Sequence, residues 1–315
     1  MINYAPIVLF IYKRPEHLKK TLQSLSNCHG YQNHKFLVFG DGPKNSTEDL
    51  LVKQTRSLAF DYLGDKAEYY FSDLNKGLAN SVIDGINKTF QKFDRAIIIE
   101  DDLVFHPNFL NFMNSTLDIY VHNDDVSMIS GYMYKVESLK NYKNQIFLPL
   151  ISTWGWGTWS RAWNHFDSYA IGYENLTKDK RLRKNFDCNG SYPFSRMLEL
   201  QMQNKIDSWG IRWYWTNFKR NKLTCFPPNT LVLNNGFDST ATHGRGFLTN
   251  FSKNKFLDDK FYKFIINNDI PISVDESLYL DFCNSMFDLN GGLKGKFRDF
   301  IKRYTIDFFR KKIKH

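Results

Sequence analysis

Three consecutive carboxylates, Glu100, Asp101 and Asp102, follow an apolar run of three isoleucines at residues 97–99. Such a run is typical of a strand buried on both faces of a parallel sheet, and ligands of open α/β sheets bind beyond the carboxyl ends of the strands. Magnesium and manganese prefer carboxylate oxygens, usually take one or two from the protein, and complete their coordination with water and substrate phosphate. The acidic triplet therefore favours a site for a divalent metal and a nucleotide diphosphate. An acidic strand end that simply faces solvent is the competing interpretation.

Two further polar residues follow predicted strands. Arg14 comes after the first apolar strand, and Asp41 comes after the second within Phe39-Gly40-Asp41-Gly42. An aspartate can accept a hydrogen bond from a uracil N–H, and an arginine can pair with phosphate. Because the carboxyl ends of parallel strands meet at one edge of a sheet, we expect both residues beside the acidic triplet. Taken alone, each of them is better explained as a turn or surface residue.

Alternating strand and helix patterns predict the elements that position these residues. Strands are predicted at residues 7–12, 36–39, 68–71, 96–99 and 126–130, and helices at residues 15–26, 47–63, 78–92 and 107–122. Repeated β-α units of this kind predict an α/β fold, a mainly parallel sheet with helices on both faces. Beyond residue 130 the pattern is less regular, with helices predicted at residues 193–204 and 210–221.

The tryptophans are concentrated in the second half of the chain, where all seven fall between residues 150 and 220. Trp is a large ring that usually packs in a core, and we expect this of most of the seven. One or two of them are candidates for a platform that holds a sugar or another ring.

Composition and charge indicate a globular protein with a basic tail. The 315 residues, 42% of them hydrophobic, are enough to bury a sizeable core. The net charge of +9 is concentrated in residues 294–315, where nine Lys or Arg residues stand against two Asp residues. Apolar residues recur there at helical spacing, so residues 291–315 are predicted to form a basic amphipathic helix on an anionic membrane surface. A helix packed on its own domain and a nucleic-acid patch are the alternatives. The apolar stripe argues against a nucleic-acid partner.

The four cysteines are widely separated, and this spacing indicates neither a zinc site nor a disulfide framework. We therefore expect a reducing compartment. Neither a signal peptide nor a spanning helix is expected from the sequence.

The order of these motifs resembles that of metal-dependent glycosyltransferases of the GT-A fold, over most of residues 5–250. The resemblance is closest to the N-acetylglucosaminyltransferase I type and to related sugar transferases of bacterial surface-polysaccharide clusters. The motifs that carry it are Arg14, Asp41, the acidic triplet, Trp154-Gly155-Trp156-Gly157, Asp207-Ser208-Trp209 and Thr242-His243-Gly244.

On the donor side, the resemblance implies a role for each of five residues. Asp41 would bind the uracil, Asp101 the ribose and Asp102 the metal, Mn²⁺ or Mg²⁺. Glu100 would lie close to the donor sugar, and Arg14 beside the nucleotide or its diphosphate.

On the acceptor side, the resemblance implies that Asp207 is the base that activates the acceptor hydroxyl and that His243 lies on a loop closing over the donor. The acceptor itself is expected to contact Trp154, Trp156 and Trp209. The family often has two adjacent acids before the tryptophan, whereas this chain has Asp207 followed by serine. An N-cap for the following helix is therefore an alternative for Asp207, and an ordinary loop residue is an alternative for His243.

The implied activity is that of a metal-dependent, inverting hexosyl- or N-acetylhexosaminyltransferase. It would move a sugar from a nucleotide sugar, with UDP expected, to a hydroxyl of a glycan or lipid-linked glycan in capsule or lipopolysaccharide synthesis. We expect it in the cytoplasm, peripherally bound to the inner face of the plasma membrane. The alternative is a non-catalytic nucleotide- or glycan-binding module at the membrane. Another kind of metal enzyme that acts on phosphates is disfavoured, because the sequence contains no phosphate-binding glycine loop.

The predicted organisation has four parts. Residues 1–130 would bind the nucleotide sugar, and residues 131–256 would bind the acceptor and form the catalytic part of the same domain. Residues 257–290 would be a helical extension, and residues 291–315 the membrane helix.

Overall fold

A mixed sheet of eight strands lies at the centre of the described part of the computed structural model, which comprises residues 4–237, 255–256, 262 and 266–293. The strands are β1 (Ile7–Ile11), β2 (Phe36–Gly40), β3 (Ala67–Phe71), β4 (Arg95–Glu100), β5 (Leu103–Phe105), β6 (Val126–Ser130), β7 (Ile146–Leu148), β8 (Trp156–Trp159), β9 (Leu223–Phe226) and β10 (Val232–Asn234). The order in the central sheet is β3-β2-β1-β4-β8-β6-β9-β7, while β5 and β10 form a separate antiparallel pair.

Strands β3, β2, β1 and β4 are parallel neighbours, and both faces of β1 and β4 are buried. Ile7, Leu9 and Ile11 point into one hydrophobic core, while Val8 and Phe10 point into another on the opposite face. A strand covered on both sides has no polar face, which explains why these segments read as continuous apolar runs. The predicted α/β fold of the GT-A type, with helices on both faces of a mainly parallel sheet, is confirmed.

Helices cover the two faces and build the second half of the fold. They are α1 (Pro15–Ser26), α2 (Ser46–Leu63), α3 (Leu78–Thr89), α4 (Phe109–Ile119), α5 (Ser160–Trp163), α6 (Asn175–Lys178), α7 (Lys180–Phe186), α8 (Phe194–Met202), α9 (Trp209–Lys219) and α10 (Glu276–Leu289). Single 3₁₀ turns occupy Tyr31–Asn33, Gly64–Lys66 and Glu137–Leu139. One core contains residues of α1, α2 and α4, and the core on the opposite face contains residues of α3 and α9.

The second half of the chain extends the same sheet beyond residue 130. β8 runs antiparallel between β4 and β6, so it joins the strands of the first half to those of the second. The sequence patterns did not predict β5 or β7–β10, because each is only three or four residues long and a segment that short has no readable periodicity.

No helix in the described ranges is both long and apolar enough to cross a membrane. The predicted basic helix at residues 291–315 lies outside the described residues from residue 294 onward, as does His243.

Candidate active site

Strands β1, β2 and β4 bring the donor-side candidates to one edge of the sheet. Phe10 of β1 stands opposite Phe39 of β2 and Glu100 of β4, so the three strands end at the same level. Arg14 and Asp41 follow β1 and β2 at this edge, beside the acidic triplet. The structure therefore brings together five residues that the sequence predicts for the donor side.

Asp101 and Asp102 have different partners. The Asp101 side chain is 8% exposed, and its Oδ2 accepts a hydrogen bond from the backbone N–H of Tyr12 at 3.0 Å. Asp102 Oδ2 accepts a hydrogen bond from Arg14 Nη1 at 2.9 Å. One carboxylate is thus tied to the backbone after β1, and the other forms an ion pair at the mouth of the site.

The three carboxylates repel one another in a poorly solvated position. Burial, followed by the charges of Asp102 and Asp101, raises the pKa of Glu100 to about 8. Burial and the charge of Asp102 raise the pKa of Asp101 to about 7. Burial also raises the pKa of Asp102, although the Arg14 guanidinium opposes this shift. The site therefore holds more negative charge than nearby cations compensate, which favours a bound cation.

The chemistry of these side chains fits Mn²⁺ or Mg²⁺ held jointly by protein and substrate. Among the described residues, no three His, Cys, Asp or Glu side chains are arranged to hold a metal by themselves. These ions usually bind through one or two carboxylates together with substrate phosphates. Asp102 would supply the protein oxygen, as the sequence predicts.

A segment far along the chain passes directly over Asp102. The β5–β10 pair ends with Asn234 opposite Leu103, and the backbone N–H of Asn235 donates to the Asp102 carbonyl at 2.9 Å. A Cβ at Gly236 would lie 2.0 Å from Asp102 Oδ2, so only glycine fits there without a shift. The sequence does not indicate a role for Gly236, because this contact depends on the pairing of two short strands.

Asp41 anchors a loop. Its Oδ1 accepts backbone N–H groups of Gly42 at 3.0 Å and Lys76 at 2.8 Å, and its Oδ2 accepts that of Gly77 at 3.0 Å. Asp41 also lines a surface cleft of about 390 Å³ beside β2, β3 and α3, together with Tyr70. The carboxylate therefore has a structural role in addition to any contact with a nucleotide.

A polar network that the sequence analysis missed connects β1 to the start of α2. Glu48 accepts hydrogen bonds from the Tyr12 hydroxyl and the Lys13 ammonium. These two bonds hold the pKa of Glu48 down to about 2. Asn75 Nδ2 donates to the Tyr12 hydroxyl at 3.2 Å, which connects the network to the loop held by Asp41. The sequence feature that could have indicated this network is the position of Tyr12, two residues before Arg14.

Asp207 lies at the other end of that loop. Its Oδ2 accepts the backbone N–H of Ala79 at 3.3 Å, in the first turn of α3. The N-cap of α9 is Ser208, whose hydroxyl accepts the N–H of Ile211 at 3.4 Å, so Asp207 is not the cap of the helix that follows it. Asp207 is exposed, as a group that meets an acceptor must be.

The three predicted acceptor-side tryptophans have different environments. Trp156 is 1% exposed and Trp209 5%, and their rings stack with centroids 5.3 Å apart inside the core. Both rings are core residues in this structure, which the tryptophan spacing did not reveal, and their contact with an acceptor stays a prediction. Trp154 is half-buried and packs edge-on against Phe237, with ring centroids 5.6 Å apart, next to Gly236.

This fold and these carboxylates define a glycosyltransferase of the GT-A type. The chain belongs to glycosyl transferase family 2, since the family model matches residues 7–194, more than half of the chain. No curated protein matches the chain.

The solved structure of GalNAc-T7 supports the fold at low sequence identity, and a second solved structure is similar over a smaller part of the chain. GalNAc-T7, solved with UDP, GalNAc and Mn²⁺, has a TM-score of 0.50 and 9% identity, over 78% of this chain and 45% of that one. The mannosyltransferase PcManGT from Pyrobaculum calidifontis, solved with GDP-Man and Mn²⁺, has a TM-score of 0.35 and 9% identity, over 53% of this chain and 48% of that one. The chain thus spans less than half of the length of each.

Proposed function

We propose that the protein transfers a sugar from a nucleotide sugar, with UDP the expected nucleotide, to a hydroxyl of a glycan or lipid-linked glycan. The observation that carries this proposal is the position of the acidic triplet, at the same sheet edge as Arg14 and Asp41 in a family 2 chain. The cleft of about 390 Å³ is within the size range of sites that bind small ligands, and Asp41 is the donor-side residue that lines it. The Mn²⁺ complexes of the structural neighbours support a divalent metal here.

In the proposed reaction, the acceptor hydroxyl attacks the anomeric carbon of the donor and inverts it. Asp207 takes the proton of the hydroxyl, whose acidity rises as the new bond forms. Arg14 pairs with the diphosphate that leaves, while Asp101 and Asp41 orient the nucleoside. A metal on Asp102 would supply Lewis-acid stabilisation of the leaving group.

On the acceptor side, we propose that Trp154 provides the ring contact. It is the half-buried member of the three predicted tryptophans, and it adjoins the segment that covers Asp102. His243, which lies outside the described residues, remains a proposed donor contact.

We further propose that the enzyme acts in bacterial surface-polysaccharide synthesis at the inner face of the plasma membrane. The support is the basic, amphipathic sequence of residues 291–315. Cosedimentation of the full chain with vesicles containing anionic lipid tests this proposal. Replacing the Lys and Arg residues of that segment with Gln should abolish the binding, and unchanged binding would refute the membrane role.

A thermal-shift panel of nucleotides and nucleotide sugars, with and without Mn²⁺, tests donor binding. A ligand at one hundred times its Kd adds about 2.7 kcal/mol of stability. We expect metal-dependent stabilisation by uridine nucleotides that is lost in Asp102→Ala. The matched control is Asp94→Ala, which removes an exposed carboxylate just before the opposite end of β4.

Release of nucleotide from the stabilising donor, in the presence of candidate acceptors, then tests turnover. Binding without any turnover would favour the non-catalytic binding module. Absence of stabilisation by every nucleotide would refute the donor site itself.

A further inference from the structure

The Oδ2 oxygen of Asp102 is already in contact with a cation. Asp102 Oδ2 lies 2.9 Å from Arg14 Nη1, and the two side chains are only 16% and 10% exposed. Such a shielded ion pair is much less weakened by water and salt than an exposed one.

The backbone at Gly236 encloses the same pair. A Cβ at this position would lie 2.0 Å from Asp102 Oδ2 and 3.0 Å from Arg14 Nη1. Arg14 Nη2 also donates to the Gly236 carbonyl at 3.4 Å, and the Asn235 N–H holds the segment to the Asp102 carbonyl at 2.9 Å. Arg14 is thus oriented by two partners, a carboxylate and a backbone carbonyl, on one side of the site.

A divalent metal would compete with Arg14 for this carboxylate. A divalent metal on Asp102 would place two positive charges beside the Arg14 guanidinium, which is hydrogen-bonded to the same carboxylate. Like charges at such a short distance repel strongly where bulk water does not screen them. The guanidinium pairs equally well with phosphate oxygens, which it can contact in the same forked geometry. A donor diphosphate therefore offers Arg14 an alternative partner at the moment when the metal needs the carboxylate.

We propose that Arg14 is an exchangeable counter-ion, which neutralises Asp102 until a metal binds there and then pairs with the diphosphate of the donor. This inference rests on the proposed function and deepens it. The metal alone binds weakly because it must displace Arg14 from Asp102. When the nucleotide diphosphate is present, the displaced guanidinium can pair with its phosphate oxygens. The two ligands therefore bind cooperatively, and each increases the affinity for the other by the same factor.

The test measures binding of Mn²⁺ alone and of UDP in saturating Mn²⁺, using the full chain and Arg14→Gln. Free Mn²⁺ is counted by electron paramagnetic resonance, and UDP binding is measured by calorimetry. We expect Arg14→Gln to bind Mn²⁺ alone about tenfold more tightly, because the competing cation is gone, and to bind UDP about tenfold more weakly, because a phosphate partner is gone.

The matched control is Lys13→Gln, which removes one positive charge from the same loop. Lys13 pairs with Glu48 rather than with Asp102, so its loss should change the Mn²⁺ affinity by no more than about twofold. Arg14→Lys keeps the charge but not the fork, and its Mn²⁺ affinity should fall between those of the wild type and Arg14→Gln. Arg14→Lys also provides a test if Arg14→Gln does not fold.

The two proposals fail in different ways. If both Arg14 variants bind Mn²⁺ alone no more tightly than the wild type, the exchange is refuted. If the wild type binds Mn²⁺ but no uridine nucleotide, the proposed UDP-sugar donor is refuted. In that case, tighter Mn²⁺ binding by Arg14→Gln would still support displacement of Arg14 from Asp102.

Discussion

Replacing Asp41 should destabilise the fold because this carboxylate holds a loop through three backbone N–H groups. Asp41→Ala leaves the N–H groups of Gly42, Lys76 and Gly77 without the acceptors that they contact at 2.8–3.0 Å. Each hydrogen bond to a charged group contributes about 1.5–3 kcal/mol when shielded, and less where water can replace it. Since the loop lies at the surface, we take about 1 kcal/mol for each bond and expect a total loss of about 3 kcal/mol.

The corresponding shift in melting temperature follows from the chain length. Globular proteins gain about 2.1 cal/mol/K of entropy per residue on unfolding, so a loss of about 3 kcal/mol in this chain of 315 residues lowers Tm by about 4–5 °C. Asp41→Asn keeps one carbonyl acceptor and should lose about half as much. Differential scanning calorimetry measures the shift, and hydrogen exchange should show faster exchange at residues 76–79 in both variants.

The control for this prediction is Asp73→Ala, an exposed carboxylate on the same loop. Its Tm should stay within about 1 °C of the wild type, as expected of a surface substitution. If Asp41→Ala melts at the temperature of Asp73→Ala and residues 76–79 keep their protection, the anchoring role of Asp41 is wrong.

Three further predictions concern the site and the core. Gly236→Ala should abolish Mn²⁺-dependent stabilisation by uridine nucleotides in a thermal-shift assay, because its Cβ would meet Asp102 Oδ2 at 2.0 Å. Trp213→Ala should lower the free energy of unfolding by about 3–5 kcal/mol in a denaturant titration, since this ring is wholly buried. Trp154→Ala should keep most of the stability and raise the KM for the acceptor. Burial lowers the pKa of His34 below its ordinary 6.5, so protonation favours the unfolded chain. The wild type should therefore lose stability relative to His34→Gln as pH falls below about 6.5, and parallel curves between pH 8 and pH 5 would contradict this.

The sequence predicted the first half of the fold and the donor edge because local patterns determine them. A strand buried on both faces is a continuous apolar run, and Pro15 at the first turn of α1 marks the helix start. Because β1, β2 and β4 are parallel neighbours, the residues that follow them lie at the same edge of the sheet. The sequence alone therefore groups Arg14, Asp41 and the acidic triplet.

Contacts between distant segments could not be predicted in this way. Two of the three N–H groups that Asp41 binds, those of Lys76 and Gly77, lie 35 and 36 residues further along the chain. Gly236 is 222 residues from the arginine that its carbonyl contacts, and it arrives there through a strand of only three residues. Trp156 and Trp209 illustrate the same limit, because an aromatic pattern gives no indication of which ring faces the core.

These long-range contacts join the two sides of the site mechanically. Asp41 binds the N–H groups of Lys76 and Gly77, and Asp207 binds that of Ala79, so two carboxylates predicted for opposite substrates hold one short segment at the start of α3. A displacement of this segment must therefore change the hydrogen bonds of both Asp41 and Asp207. Gly77 has φ +80°, a backbone conformation that glycine adopts readily and side-chain-bearing residues rarely do. The positions of Asp41 and Asp207 are therefore fixed relative to each other through the backbone of residues 76–79, which both carboxylates bind.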